Sequence, residues 1–317
     1  MVKGYFLSAY ATSPSCGEVI ESIYFKNIAS RSEIRGIEHP YFFDSEKYSI
    51  NWLLANIPDH WELIITALPA FMEALKINPN IGLASINESD RCNAVLLIEK
   101  INRYANKLNQ VFGRNVIKVL HLHSAPKNSY NSIRGSKLSL KKSLDEIISM
   151  DWGDITLNIE HCDAYIHNCE PIKGFLSLED EIEAIHSVGH YGLVLNWGRS
   201  AIETRSINGP LKHLQKVIES KLLRGFVFSG CTDNPKSVYK AWADTHMPPA
   251  NFINGNYLPH DSILGYKEIK QAFDILEHEN IYLGIKVSNP HNLKNIKDSV
   301  GVVFESIDAI EMVKKEK

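Results

Sequence analysis

The 317-residue chain is short of cysteine, has no surplus of positive charge, contains no long hydrophobic run and lacks the short motifs of nucleotide or hydrolytic chemistry. Its five cysteines, Cys16, Cys92, Cys162, Cys169 and Cys231, are odd in number and irregularly spaced, and no two form a C-x-x-C pair. That pattern argues against a disulfide framework and against a structural zinc site. Lys and Arg number 34 against 37 Asp and Glu, a net charge of -3. This is not the basic footprint that nucleic-acid binding leaves, so no nucleic-acid partner is expected. No apolar stretch approaches the roughly 18 residues of a membrane helix, and Met1 to Tyr5 run into a strand-like segment without a signal core. A cytoplasmic protein with no membrane partner is expected. No phosphate loop, G-x-G-x-x-G fingerprint, G-x-S-x-G elbow or H-E-x-x-H helix occurs, which leaves nucleotide-driven chemistry, serine hydrolysis and zincin proteolysis unsupported.

What is present is a repeated alternation of two periods. Strand-like runs rich in β-branched and aromatic residues occupy Tyr5 to Tyr10, Arg35 to Tyr41, Trp61 to Leu68, Val116 to His123, Ile155 to His161, Gly192 to Trp197, Gly225 to Ser229 and Tyr282 to Ser288. Helix-period segments follow them: Glu18 to Ala29, Glu46 to Ala55, Arg91 to Phe112, Lys137 to Ile148, Leu178 to His186, Leu211 to Glu219, Tyr266 to Glu279, Asn292 to Ile296 and a closing helix near Ser306 to Lys315. Eight βα units in a chain slightly longer than the roughly 250 residues of an eight-stranded α/β barrel predict a single (β/α)8 domain spanning residues 1–317. Two connections, Pro69 to Asp90 after strand three and Asn234 to Leu264 after strand seven, read as long loops, the second rich in Pro and Asn.

The strands end in titratable residues. Between Asp154 and Asp163 an apolar strand (Ile155, Leu157, Ile159) runs into Glu160, His161, Cys162 and Asp163. The same layout recurs with Glu38 and His39 after strand two, His121 and His123 on strand four, Asn196 and Arg199 after strand six, Ser229 and Asp233 after strand seven, and Lys286 and Ser288 on strand eight. In a closed barrel these side chains converge on the C-terminal mouth, where such folds carry their chemistry. Of His121 and His123, only one is expected to face the mouth, and His123, nearer the strand end, is taken as that residue. Arg199 and Asp233 are placed in loops just past their strands. Cys162 and Cys231 sit at strand ends, where a nucleophile would stand, Trp197 and Trp242 are candidate faces for a sugar ring, and His246, His260 and Asp261 lie on a loop that would form a lid.

Gly36-Ile37-Glu38 after strand two, His121 and His123 on strand four, and Asn158-Ile159-Glu160 on strand five resemble the xylose-isomerase-like TIM barrels, the superfamily of sugar isomerases, epimerases, related dehydratases and endonuclease IV. Within it the chain is most similar to uncharacterised bacterial proteins of the DUF4862 type. The resemblance implies one or two divalent cations held by acidic and His ligands on strands five to eight. Glu160 matches the first such position, but Asn196 and Arg199, Ser229 and Lys286 stand where an Asp and a His, a His and a Glu would be. Arg and Lys bring positive charge and no lone pair, so a site without a metal is favoured over one with a divalent cation.

The reading that results is a sugar or sugar-acid isomerase or epimerase that moves a proton next to a carbonyl. Glu160, His123 and Lys286 are its catalytic residues, and Glu38, His161, Asn196, Arg199, Asp233 and His260 bind substrate. Lys286 is expected to pair with Glu160, its ammonium replacing the charge of a metal. The partner is a small carbohydrate or sugar acid, and a homo-oligomer is allowed for. Two alternatives stand beside it: a glycoside hydrolase or lyase using two carboxylates from Glu38, Glu160, Asp233 and Asp261, and a non-catalytic carbohydrate-binding barrel.

Overall fold

Eight parallel strands close into a barrel in sequential order, with β1 hydrogen-bonded to both β2 and β8. The computed structural model describes residues 4–14, 17–42, 48–166, 170–289 and 295–316. The strands are β1 (Tyr5–Leu7), β2 (Ile34–Pro40), β3 (Glu62–Thr66), β4 (Ile117–Leu122), β5 (Thr156–Glu160), β6 (Gly192–Asn196), β7 (Leu223–Phe228) and β8 (Tyr282–Ile285). Outside them lie α1 (Glu18–Ile28), α2 (Ile50–Asn56), α3 (Leu68–Ile77), α4 (Glu88–Phe112), α5 (Lys137–Ile148), α6 (Leu178–Val188), α7 (Trp197–Thr204), α8 (Gly209–Glu219), α9 (Tyr266–Ile275) and α10 (Ile296–Lys315). None of the described helices is long and apolar enough to cross a membrane.

The two-residue period of a strand sorts each run into two faces. On β5, Leu157 and Ile159 join the large core between barrel and helices, which also takes Leu63, Ile65, Leu120, Leu122 and Leu195. The alternate residues point to the barrel axis. There a small apolar plug of Phe6, Ile64 and Val119, with Tyr282 against it, fills the lower part. Polar side chains occupy the level above. Gly36 is required by spacing, because a Cβ there would lie 1.9 Å from the Glu62 carbonyl oxygen of the adjacent strand.

Helix starts follow their caps. The side chains of Asn87, Ser136 and Ser177 accept the amide N–H of Asp90, Ser139 and Asp180 at the heads of α4, α5 and α6. Each such cap contributes about 1 kcal/mol. Helix α4 stops at Gly113, whose φ of 64° is the left-handed conformation glycine adopts freely.

Two helices lie where the sequence reads as strand end or loop. Helix α3 occupies much of the connection after β3, with Pro69 in its first turn, where the missing N–H costs nothing. Helix α7 begins directly at the end of β6, its amide Arg199 N–H capped by Asn196 at 3.2 Å. The expected Ser306 to Lys315 helix is the last half of α10. The expected helix at Asn292 to Ile296 falls mostly outside the described residues, as does the expected start at Glu46. The connection after β7 is irregular, with no helix or strand between Phe228 and Tyr266.

Candidate active site at the barrel mouth

Above the apolar plug, three carboxylates and three cationic side chains from six parts of the barrel form one buried ionic network. Glu38 on β2 lies 3.0 Å from the Lys286 ammonium just past β8. The same Nζ is 4.0 Å from Oε1 of Glu160 at the end of β5. Arg199, on the first turn of α7, places Nη1 2.7 Å from that oxygen and Nε 3.2 Å from Asp244 Oδ2. Asp244 also takes Lys173 Nζ at 2.9 Å and faces His246 Nδ1 at 3.2 Å. Thus the loop after β5 and the long loop after β7 are tied to the strand ends through one carboxylate.

Two histidines complete the network. His123 Nε2 is 3.0 Å from Glu160 Oε2, and an ionised carboxylate only accepts, so this nitrogen carries the proton. The other ring nitrogen, Nδ1, is buried with no hydrogen-bond partner among the described residues, as is Nη2 of Arg199. His121 spans from Glu38 (Nδ1 to Oε1, 3.4 Å) to the hydroxyl of Tyr282 (Nε2, 2.7 Å), and its ring stacks on the tyrosine at an interplanar angle of 17°. Ser8 donates to Glu38, and Lys286 lies 5.4 Å from the centre of the Tyr10 ring.

Burial and charge compete for each group. Burial alone pushes Glu38 up, but the Lys286 ammonium and the hydrogen bond from His121 outweigh it and hold the carboxyl at about 2. Glu160 is likewise raised by burial and then carried well below the ordinary carboxylate range by Arg199, Lys286 and the His123 hydrogen bond. Asp244 behaves in the same way between Lys173 and Arg199. Lys286 and Arg199 are raised by their carboxylates despite burial. Burial dominates for His123 and His246, each lowered to about 4 and therefore uncharged near neutral pH. The site consists of anions and fixed cations in balance, with the neutral imidazoles of His123 and His246 between them.

The structure gathers Glu38, His123, Glu160, Arg199 and Lys286 at one place. It corrects several expectations. His121 and His123 both face the axis, since residues two apart on a strand share a face. Lys286 is closer to Glu38 than to Glu160, whose nearest cation is Arg199. Arg199 is a buried helix residue, not a loop residue. His39, of the opposite parity to Glu38, turns outward and stacks on Tyr104 of α4, with Nε2 2.9 Å from the tyrosine hydroxyl. His161 also points outward, into the helix layer between Glu181 and Glu203. Asn196 spends its carbonyl oxygen on the α7 cap. Asp163 accepts the backbone N–H groups of Ile172 and Lys173 and so shapes the loop that carries Lys173. Asp233 and His260 are exposed, and among the described residues neither pairs with the network. Burial raises the thiols of Cys162 and Cys231, the latter to about 12, so both stay protonated. Cys16 and Cys169 lie outside the described residues.

Tyr282 and Asp244 were missed. Tyr282, Gly284 and Lys286 share one parity, so the tyrosine was within reach once Lys286 was placed inward. Asp244 stands in an irregular loop whose course no local pattern encodes.

The chain belongs to the family described as Domain of unknown function (DUF4862), which matches residues 6–300. It is 31% identical over 318 residues to an uncharacterized protein of Salmonella typhimurium (STM3670), covering 98% of this chain and 97% of that one. Among solved structures, the IolI protein with a binding zinc atom matches with a TM-score of 0.61 at 13% identity, over 98% of this chain and 99% of that chain. The D-psicose 3-epimerase of Clostridium cellulolyticum H10 matches at 0.57 and 13%, with the same coverage. At 13% identity these likenesses show a shared fold, the closed eight-stranded α/β barrel.

A zinc atom in one such neighbour raises the question of a cation at this mouth. Glu38, His121 and Glu160 each offer one ligand atom, all within 4.8 Å of one another. The donor set does not fit a divalent ion, however, because Lys286 holds a positive charge 3.0 Å from Glu38 and 4.0 Å from Glu160, and Arg199 holds another on Glu160. The carboxylates are already matched by protein cations.

Proposed function

We propose that the protein is a sugar or sugar-acid isomerase or epimerase in which Lys286 and Arg199 do the electrostatic work that a divalent cation does elsewhere. The observation that carries this reading is the Lys286 ammonium set between Glu38 and Glu160, with Arg199 on the far side of Glu160. Proton abstraction next to a carbonyl leaves negative charge on oxygen, and two fixed cations in a buried site stabilise that charge without reorganisation. Glu160 and His123 are the proton-transfer pair. In the free protein the cations keep Glu160 weakly basic. As they engage the developing enediolate oxygen their hold on the carboxylate loosens and its proton affinity rises toward a useful value. His123, oriented through Nε2–H by Glu160, offers the Nδ1 lone pair to take the proton of one enediol oxygen and return it to the other, while Glu160 returns to the adjacent carbon the proton that it took. The unpartnered Nη2 of Arg199 suits the carboxylate or hydroxyl oxygens of a sugar acid or sugar.

A glycosidase would use two carboxyl groups of divergent acidity, one raised so that it can protonate the leaving oxygen. Here both Glu38 and Glu160 are lowered, which weighs against that reading. Incubation with a panel of aldoses, ketoses and sugar acids in D₂O, followed by proton NMR, tests the proposal, because proton transfer at carbon exchanges solvent deuterium into substrate. Glu160→Gln should reduce exchange at least a thousandfold while keeping ligand affinity within about tenfold. Full activity in that variant sinks the assignment, and tight binding without exchange by the unaltered protein favours a carbohydrate-binding barrel instead.

A further inference from the structure

Directly behind Glu160 a second buried polar cluster stands in the helix layer, outside the barrel and unconnected with the chemistry of the mouth. His161 leaves the end of β5 on the opposite side and is held at both ring nitrogens. Nδ1 is 2.7 Å from Glu181 Oε2 on α6, and Nε2 is 2.9 Å from Glu203 Oε2 on α7. Glu181 takes the Ser124 hydroxyl on its other oxygen, and Glu203 takes the Ala164 N–H. His213 of α8 brings Nε2 to 3.7 Å from Glu203 Oε1, and its ring meets that of His161 edge-on with centres 5.6 Å apart. Its Nδ1 is buried and has no hydrogen-bond partner among the described residues.

We propose that His161, Glu203 and His213 form a zinc site in the helix layer, with Glu181 as the carboxylate that orients His161. The hydrogen bond to Glu181 fixes the proton on Nδ1 and turns Nε2 toward Glu203 and His213, which is the arrangement metal-bound imidazoles use. One ligand atom from each of the three residues lies within 4.8 Å of the others. Zinc bound at about 2.0–2.1 Å in a tetrahedron sets its ligands roughly 3.3 Å apart, and Glu203 already sits between the two imidazoles, with Oε2 2.9 Å from His161 Nε2 and its other oxygen, Oε1, 3.7 Å from His213 Nε2. Two imidazoles and one carboxylate are a known zinc donor set that leaves a fourth position for water. Charge points the same way. No Lys or Arg nitrogen pairs with Glu181 or Glu203 among the described residues, so the two buried carboxylates share a single imidazole as their counter-charge. A divalent ion displacing the Nε2 proton supplies the missing charge. His213 is the partly exposed member and marks the route of entry. No ligand is a cysteine, so the sequence's lack of paired thiols has no bearing here.

Calorimetric titration of chelator-treated full-length protein with Zn²⁺ tests this, with Co²⁺ as a spectroscopic probe of four-coordinate geometry. The proposal predicts one equivalent of Zn²⁺ and intense visible Co²⁺ bands, both retained in His121→Gln at the mouth. Binding should weaken at least a hundredfold in His213→Ala, a partly exposed position whose loss leaves the fold intact by circular dichroism. If His213→Gln is also made, its partial recovery of shape without the ligand nitrogen should give the same loss. No stoichiometric Zn²⁺ binding, or binding lost in His121→Gln and kept in His213→Ala, overturns the proposal. The first result identifies the cluster as an imidazolium bolt between two carboxylates, and the second places the metal at the mouth.

Discussion

Glu160 and His161 are neighbours in sequence, yet they anchor two buried clusters of opposite construction. At the mouth, Glu38, Glu160 and Asp244 face Lys286, Arg199 and Lys173, so each anion has a permanent protein cation within 3.0 Å. Behind the wall, the only charge-bearing partner of Glu181 and Glu203 among the described residues is histidine. Fixed cations make a charge environment that no change of pH near neutrality alters. A histidine between two carboxylates makes one whose charge depends on protons or on a metal. One step along an extended backbone, which sends successive side chains to opposite faces, divides a preorganised site from an adaptable one.

The largest expected effect comes from breaking the balance at the mouth. Lys286→Met leaves Glu38 and Glu160 buried within 4.8 Å of each other without their shared ammonium. Removing one partner of a buried pair costs about 3–5 kcal/mol. Urea unfolding should register that loss, and an unchanged midpoint would mean that the two carboxylates are not charged in the native state. Arg199→Lys should cost less, about 1–3 kcal/mol, because an ammonium cannot bridge Glu160 and Asp244 as the guanidinium does. It should also cut turnover more than a conservative change elsewhere in α7.

Acidity separates the two clusters next. His123, His246 and His213 are lowered to about 4, so below the ordinary histidine value of about 6.5 the unfolded chain binds protons that the native one refuses, and stability falls from pH 6.5 toward 4. Glu38, held at about 2, adds a further loss as pH drops from about 4.5 toward 2. His161 runs the other way. Raised by Glu181 and Glu203 against the cost of burial, it stabilises the fold at pH below about 6.5 and loses that contribution only as pH climbs through its raised native value. In metal-free protein, His161→Gln should therefore flatten the alkaline limb of a stability–pH curve and leave the acid limb in place. The smallest effect is that of His213→Ala on metal-free stability, about 1 kcal/mol, since the ring is partly exposed and, being neutral, makes no ion pair with Glu203 across their 3.7 Å approach.

What the sequence revealed depended on how locally each feature is encoded. Strand positions held to within a few residues because Val, Ile and Leu runs mark them. The residues at strand ends reached the mouth where parity put them there: Glu38, Glu160 and Lys286 share the inward face with Ser8, His121 and Tyr282. Counting that two-residue period would have placed both His121 and His123 inward and turned His39 away. His161, one step beyond Glu160, takes the outward side by the same rule. Arg199 depended on a helix starting immediately at the strand end, and Pro69 concealed α3 because a proline reads as a break except in a first turn. Asp244 is set by the path of a loop with no helix or strand between Phe228 and Tyr266, and its meeting with Arg199 and Lys173 is a product of the tertiary fold alone.

The central claim is that proton transfer at the mouth runs on protein cations. Deuterium exchange from D₂O into a turned-over sugar, measured on protein stripped of divalent ions and again after adding Mn²⁺, Co²⁺ or Zn²⁺, tests it most directly. The account predicts the same exchange rate with and without added metal, and none in Glu160→Gln. Exchange that starts only when a divalent ion is supplied would contradict it.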